Sequence, residues 1–357
     1  MGKKNIVIAG GGTGGHIYPG IAIAKALQKF DPEIQIHFVG TKEGMETKII
    51  PREGYPLVLI ESGKLNFRGN FLKKIKSLLK IPVGIFQSIR VLWQLKPLYV
   101  IGVGGYASAP MVLAASFVGF PSAVWEPNAM PGLANRLLSR FVDKCFVVFE
   151  DAKSHLKNKQ VIRTGMPIRS EIEHAAKDET QNHKFRLLAF GGSSGARTLN
   201  YCLQNALLKN QEWAKDIAIV HQTGSLDYQE IKSKYVDYKG ELDIKEFIFD
   251  MPNYYQWADV AFCRGGASSL AEVAAYGLVP IIVPLPLADD HQQKNAETLV
   301  NAGAAIMILQ KDLTPDVLIE NILRLKNNPE MRRTMSQKLR TFYVPQAAEA
   351  IAKEILS

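Results

Sequence analysis

"AGGGTGGHIYPGIAIAKAL", residues 9–27, places five glycines in six positions directly before a segment of helical periodicity. Glycine loses more backbone freedom on folding than any other residue, so such a run needs a steric reason: something must approach the main chain closely. The flanks say what surrounds it. "NIVIAG" (5–10) is a continuous apolar run of the kind that forms a buried parallel strand, and Ile17, Ile21, Ala24 and Leu27 then recur on one helical face. Pro19 is expected in the first turn of that helix, where a missing N–H does no harm.

This strand–turn–helix unit recurs. "IQIHFVG" (34–40) reads as the next strand, with others near 98–103, 121–126 and 143–149, and "KFRLLAFGGSSGARTLN" (184–200) then repeats the opening pattern. Alternation continues through "DIAIVHQTG", "ADVAFCRGGASSLAEVAAYG" and "VPIIVPLP". Two similar α/β domains with parallel sheets are the economical reading, and 357 residues suit about two domains. The seam is expected near "VIRTGMPIRSEIE" (161–173). The uncharged stretch 98–125 is long enough to span a bilayer, but Gly102, Gly104, Gly105, Pro110, Gly119 and Pro121 divide it into strand, turn, helix and strand.

A formal charge of +9 points to an acidic partner: nucleic acid, an anionic lipid surface or a phosphorylated ligand. Cys145, Cys202 and Cys263 are odd in number and widely spaced, giving neither a disulfide framework nor a zinc pattern. A reducing compartment is expected, and the start "MGKKNIVIAG" has no secretory cleavage pattern.

A glycine turn feeding a helix at the carboxyl end of a parallel strand presents free amides and the positive helix end to an anion, with phosphate the default guest. Gly10, Gly12 and Gly15 satisfy the dinucleotide pattern G-x-G-x-x-G, so a nicotinamide-dependent oxidoreductase is a rival. The second strand, however, ends Val39-Gly40-Thr41 with no ribose-binding acid, Glu43 lying already in the following turn. A P-loop fails because His16 follows Gly15. At a helix start that histidine is expected to be neutral and able to take a proton, though capping or packing would also explain it. "RGGASSLAEVAAYG" (264–277) could hold a pyrophosphate at Ser268 and Ser269 and a ribose at Glu272, or could be an ordinary capped helix. His291, Gln292 and Asn295 stand between a strand and a helix, placed for sugar hydroxyls or for solvent.

Taken together, "GGTGGHIYPG" (11–20), "GVGGYASAP" (102–110), "EPNAMPGLANR" (126–136), "GMPIR" (165–169), "GGSSGAR" (191–197), "EFIFDM" (246–251), "CRGGASSLAE" (263–272) and "DDHQQKNA" (289–296) resemble the MurG-type glycosyltransferases over essentially the whole chain. These enzymes move N-acetylglucosamine from UDP-N-acetylglucosamine to an undecaprenyl-linked muramyl-pentapeptide lipid in peptidoglycan synthesis. The resemblance implies a GT-B fold: two Rossmann-like domains with parallel sheets and an interdomain cleft. It implies an acceptor- and membrane-side domain at 1–165, a UDP-sugar domain at 166–339 and a last helix within 340–357 returning to the first. It places Arg169, Ser193, Ile248, Ala267, Ser268, Ser269, Leu270, Ala271, Glu272 and Gln292 on the donor, with Thr13, Gly14, Gly15 and Asn128 closing over it. Tyr106 and Glu126 fall on the acceptor side, and His16 looks like the base for the acceptor's C4 hydroxyl. Pro127 stands where the family often has glutamine and removes a backbone donor, and His291 stands where some members carry glutamine. Another GT-B UDP-sugar enzyme, such as a glycolipid transferase or an epimerase, is the nearest alternative.

The resemblance implies an inverting displacement, and helix-end amides with Arg169 could stabilise the departing diphosphate. No Asp-x-Asp motif occurs, so neither a metal nor a cofactor is expected in the site, and no nucleic-acid partner. "NFRGNFLKKIKSLLKIPVGIF" (66–86) interleaves apolar and basic residues; Phe71, Leu72, Lys73, Lys74, Ile75, Lys76 and Leu79 are expected to meet an anionic membrane surface, at the cytoplasmic face of the inner membrane.

Overall fold

The computed structural model describes residues 4–63, 71–168, 184–192, 195–286 and 290–357, with the backbone alone for 71–79. The chain divides into two units, Met1–Arg169 with Pro345–Ser357, and Ser170–Val344. In the first, β1 (Lys4–Gly10), β2 (Ile34–Gly40), β3 (Leu57–Leu59), β4 (Tyr99–Gly104), β5 (Ser122–Glu126), β6 (Lys144–Val147) and β7 (Val161–Arg163) form a parallel sheet in the order β3-β2-β1-β4-β5-β6-β7. Ile6, Val7 and Ile8 are fully buried, as a central strand covered by helices on both faces requires. Chain progress reverses between β1 and β4, the position where open α/β sheets bind ligands beyond their carboxyl ends. There the register slips after Ala9 so that Gly10 pairs with Gly104, which sets the two glycine turns side by side.

The second unit repeats the plan. Its strands β8 (Phe185–Phe190), β9 (Ile217–Gln222), β10 (Glu241–Lys245), β11 (Val260–Cys263), β12 (Val279–Ile282) and β13 (Ile306–Met307) run parallel in the order β10-β9-β8-β11-β12-β13, with the reversal between β8 and β11. Each unit has its own core. Val7, Val100, Val124, Met111 and Leu92 lie in the first, and Leu187, Ile219, Phe262, Leu203 and Leu318 in the second.

The helix after β1 covers Gly14–Phe30 and buries Ile17, Ile21, Ala24 and Leu27 as the spacing predicts. It starts at the glycines themselves, so Pro19 lies in its second turn and not its first: the Gly15 carbonyl loses the amide that residue 19 would have donated. The uncharged stretch resolves into β4, a helix over Ser108–Val118 and β5, and no helix among the described residues is long and apolar enough to cross a membrane. The basic segment falls partly in residues 64–70, outside the described residues, and partly in the helix Phe71–Leu95. Cys145, Cys202 and Cys263 are free and buried.

Near the carboxyl terminus the helix Pro329–Arg340 belongs to the second unit, while Ala347–Leu356 belongs to the first. That last helix packs on Gly14–Phe30 through buried Ala347, Ala348, Ile351 and Ala352, and Lys144 Nζ reaches the Glu354 carboxylate at 2.9 Å.

Candidate active site

At the carboxyl edge of the first sheet, the glycine turn after β1 is satisfied largely by the chain itself. Gly11 N donates to Gly104 O at 3.2 Å, and Gly12 N donates to Glu46 Oε2 at 2.7 Å. Glu46 begins the helix Glu46–Arg52 and is 1% exposed, and its Oε1 also accepts from Thr41 N at 2.9 Å and Thr41 Oγ1 at 3.0 Å. A β-carbon at Gly11 or Gly44 would overlap its carboxyl group, and one at Gly40 its Cγ. The close approach that explains these glycines is therefore a buried carboxylate and the neighbouring turn, and the Gly12 amide is held by the chain's own anion. The amides of Gly14 and Gly15, in the first turn of the helix, have no intrahelical acceptor.

His16 follows them. Its amide bonds the carbonyl of Thr13, the N-cap residue, at 3.1 Å, and its ring lies against Gly104. The residue as a whole is half-buried, but Nδ1 is sealed from solvent with no hydrogen-bond partner. Burial pushes its pKa down to about 4, against the opposing pull of the Glu46 carboxylate. The imidazole is thus neutral at pH 7 as expected, but for a different leading reason: desolvation rather than the helix end alone.

Beside β4 in the same sheet, β5 ends at Glu126. This carboxylate, 2% exposed, accepts from Asn128 N at 3.0 Å, Asn128 Nδ2 at 3.1 Å, Gly132 N at 3.0 Å and Asn135 Nδ2 at 2.9 Å. Burial raises its pKa and those four donors oppose the rise. Glu126 therefore organises the 126–135 loop, and it holds the amide of Asn128 despite Pro127 between them. Tyr106 is exposed on the turn after β4, where its carbonyl accepts from Ser62 Oγ at 2.6 Å.

In the second unit the helix Ala267–Tyr276 starts directly beyond β11, with Gly266 as its N-cap residue, so the amides of Ala267, Ser268 and Ser269 face out from its first turn. Leu270 and Ala271 are buried beneath. Tyr255 Oη donates to Glu272 Oε2 at 2.6 Å, which fixes that carboxylate one turn into the helix. Gln292 Oε1 accepts from Gly265 N at 3.2 Å and Leu285 N at 3.0 Å, joining two strand-end loops. Asn295, fully buried, donates from Nδ2 to Gly265 O at 3.2 Å. His291 opens the helix His291–Asn301. Ile248 is buried in the loop after β10, between exposed Phe247 and Phe249. Arg169 and Ser193 lie outside the described residues, as do the side chains of Phe71, Leu72, Lys73, Lys74, Ile75, Lys76 and Leu79.

Three features escaped the sequence reading. Glu46 is one. Arg264 is the second: it follows β11, its Nη1 donates to Val283 O at 3.0 Å, and burial lowers its pKa. The third is the run His221-Gln222-Thr223 at the end of β9, all buried. Gln222 Nε2 donates to Gly192 O at 3.1 Å, and Thr223 N to Lys245 O at 3.0 Å, tying the second glycine turn to the strand that precedes the Ile248 loop. Three successive polar residues at a strand end were the available signal. Among the described residues no group of three His, Cys, Asp or Glu side chains comes together to hold a metal ion.

Comparison with known proteins accounts for both units. Residues 6–147 match the glycosyltransferase family 28 N-terminal domain and residues 186–351 its C-terminal domain. A curated relative from Bdellovibrio bacteriovorus, a UDP-N-acetylglucosamine--N-acetylmuramyl-(pentapeptide) pyrophosphoryl-undecaprenol N-acetylglucosamine transferase, is 64% identical over 354 residues, covering 99% of each chain. A relative of the same name from Myxococcus xanthus is 40% identical over 97% of this chain and 91% of its own. Among solved structures, Acinetobacter baumannii MurG superposes with a TM-score of 0.82 at 30% identity, covering 99% of each chain. The architecture is GT-B, and with this identity along its full length the chain belongs to the MurG-type transferases of glycosyltransferase family 28.

Proposed function

We propose that this protein transfers N-acetylglucosamine from UDP-N-acetylglucosamine to the C4 hydroxyl of undecaprenyl-pyrophosphoryl-N-acetylmuramyl-pentapeptide, in peptidoglycan synthesis. The observation that carries this reading is the 64% identity, over 99% of both chains, to the Bdellovibrio transferase named for that reaction.

The site chemistry agrees. A neutral, partly desolvated imidazole at His16 can take the acceptor's hydroxyl proton as the oxygen attacks the anomeric carbon and UDP departs. Since Nδ1 is sealed inside, Nε2 is the nitrogen that receives it. Charge growing on the diphosphate meets the first-turn amides of Ala267, Ser268 and Ser269, with Arg169, Ser193 and the buried Arg264 as further candidates. Glu272, held by Tyr255, is suited to the ribose hydroxyls, Ile248 to the base and Gln292 to the sugar; Thr13, Gly14, Gly15 and Asn128 contribute from the first unit. Tyr106 and Glu126 shape the acceptor side.

The acceptor's lipid anchor calls for a peripheral seat on the cytoplasmic face of the inner membrane. Lys73, Lys74 and Lys76 would supply about 1 kcal/mol each near an anionic surface. Exposed Phe86 and Trp93 farther along the same helix would supply the apolar part.

The test is incubation with UDP-N-acetylglucosamine and a short-chain acceptor lipid, following UDP release and disaccharide formation. Release of UDP without disaccharide, or stabilisation by NAD in place of UDP, would overturn the reading. EDTA is expected to leave the rate unchanged.

A further inference from the structure

The two units solve one problem with different chemistry. Each has a glycine at the mouth of its sheet whose amide is held by a side chain from the helix following another strand. In the second unit the acceptor is the neutral amide of Gln292, on Gly265 N at 3.2 Å; in the first it is the carboxylate of Glu46, on Gly12 N at 2.7 Å. Gln292 works through one oxygen, whereas Glu46 accepts through both, Oε2 from Gly12 and Oε1 from Thr41, as only a carboxylate can. Yet Glu46 is 1% exposed and its only partners among the described residues are three uncharged donors, one on Gly12 and two on Thr41. A buried carboxylate without a cationic partner is costly, so its charge needs a use.

Its surroundings name one. Gly12 is held at both ends by this loop, since Met45 N also approaches Gly12 O at 3.5 Å, and Gly12 immediately precedes the Thr13 N-cap whose carbonyl anchors the His16 amide. We propose that Glu46 is a positioning residue for His16: an internal anion that fills the first glycine turn, denies the Gly12 amide to a ligand's phosphate, and offsets the imidazolium formed when His16 accepts a proton. Glu46 already pulls the His16 pKa upward against burial. Phosphate binding from the first unit is left to the helix-start amides of Gly14 and Gly15.

The inference rests on His16 being the base, and a double-mutant cycle on the full-length enzyme separates the two claims. Glu46→Gln removes the charge, and its amide nitrogen then faces either Gly12 N or the two Thr41 donors, so one set of contacts goes with it. It is expected to lower kcat by about tenfold or more, with the donor KM unchanged within about twofold. In a His16→Ala background the same change is expected to cost less than about twofold, because its route to the chemistry is gone. Glu46→Ala leaves a cavity lined by Gly11, Gly40 and Gly44 and a free Gly12 amide; sodium formate, but not sodium chloride at equal ionic strength, is expected to restore part of its rate.

Failure is equally readable. A Glu46→Gln loss confined to donor KM, or one that multiplies in full onto His16→Ala, overturns the proposal, as does a folded Glu46→Ala that formate leaves unchanged. Should Glu46→Ala not fold, the Glu46→Gln cycle alone decides. A His16→Ala enzyme with normal kcat instead removes the base reading on which the proposal stands.

Discussion

Gly104 lies against the imidazole of His16, so closely that a β-carbon there would overlap the ring, and it does so at a φ of 97°. Both facts act against any other residue. The positive φ costs an alanine about 1–3 kcal/mol, and relief of the overlap must displace the base. Gly104→Ala is expected to lower the melting temperature and to reduce kcat by more than about tenfold, since small misplacements of a reacting group are expensive. Melting curves and initial rates check this. A normal kcat would show that the ring is not held by this contact.

Two desolvated histidine rings make acid stability predictable. His16 has its pKa lowered from 6.5 to about 4, and His221, enclosed between Asn200 and Tyr235, to about 3. Between those values and 6.5 the unfolded chain binds protons that the folded chain refuses, so stability is full above pH 6.5 and declines as pH falls. The slope approaches about 1.4 kcal/mol per pH unit for each group. Denaturant midpoints between pH 7 and 4 should fall accordingly, and His16→Asn should flatten that dependence. The kcat/KM profile of the wild type should show no acid limb near 6.5 from His16.

How legible all this was in the sequence depends on the range of each interaction. Continuous apolar runs and glycine turns are local signals, so β1, β4, β8 and the doubled plan could be read directly. Pro19 was misplaced by one turn because helix starts are set by where amides stop finding acceptors, and two glycines hide that point. Glu46 could not be read because its partner Gly12 lies 34 positions away, and because an acid was sought only at the very end of β2, for a ribose. The same limit applied to Gln292, which meets Gly265 across 27 positions: its residue type suggested a sugar contact, while its carbonyl oxygen in fact fastens two loops. Desolvation of His16 is likewise a property of the packed turns and has no signature in the motif around it.

Glu272 offers a test of the donor side. Its Oε2 accepts the Tyr255 hydroxyl at 2.6 Å, with Tyr255 1% exposed and Glu272 half-buried. Tyr255→Phe keeps the ring packing against Phe190 and Tyr276 and removes one hydrogen bond to a charged group, worth about 1.5–3 kcal/mol. If Glu272 binds the ribose, the donor KM should rise by about tenfold with kcat nearly unchanged, and the UDP-induced rise in melting temperature should shrink. An unaltered KM would mean that Glu272 holds Tyr255 and does not meet the ribose.

The surface proposed to meet the membrane can be separated into apolar and electrostatic parts. Val83, Phe86, Arg90 and Trp93 recur at helical spacing along Phe71–Leu95, and the three apolar members are 47%, 71% and 58% exposed. The neighbouring helix Ser108–Val118 adds Phe117, 67% exposed, whose ring meets exposed Phe141 at 6.3 Å. Exposed apolar groups recurring on one side of a helix mark an interaction surface more often than single scattered ones do. Phe86→Ser with Trp93→Ser is expected to weaken binding to anionic vesicles by about tenfold, taking a partial burial of about 0.7 kcal/mol for each ring. That loss should persist at high salt, because apolar transfer is not screened. Replacing Lys73, Lys74 and Lys76 by glutamate should weaken binding at low salt, and the difference from wild type should vanish at about 1 M salt, where the screening length falls to about 3 Å. Turnover of a short-chain acceptor in solution should be unaffected by either set, since neither touches the glycine turns. Wild-type vesicle binding by both variants would show that this face is not the one that meets the lipid.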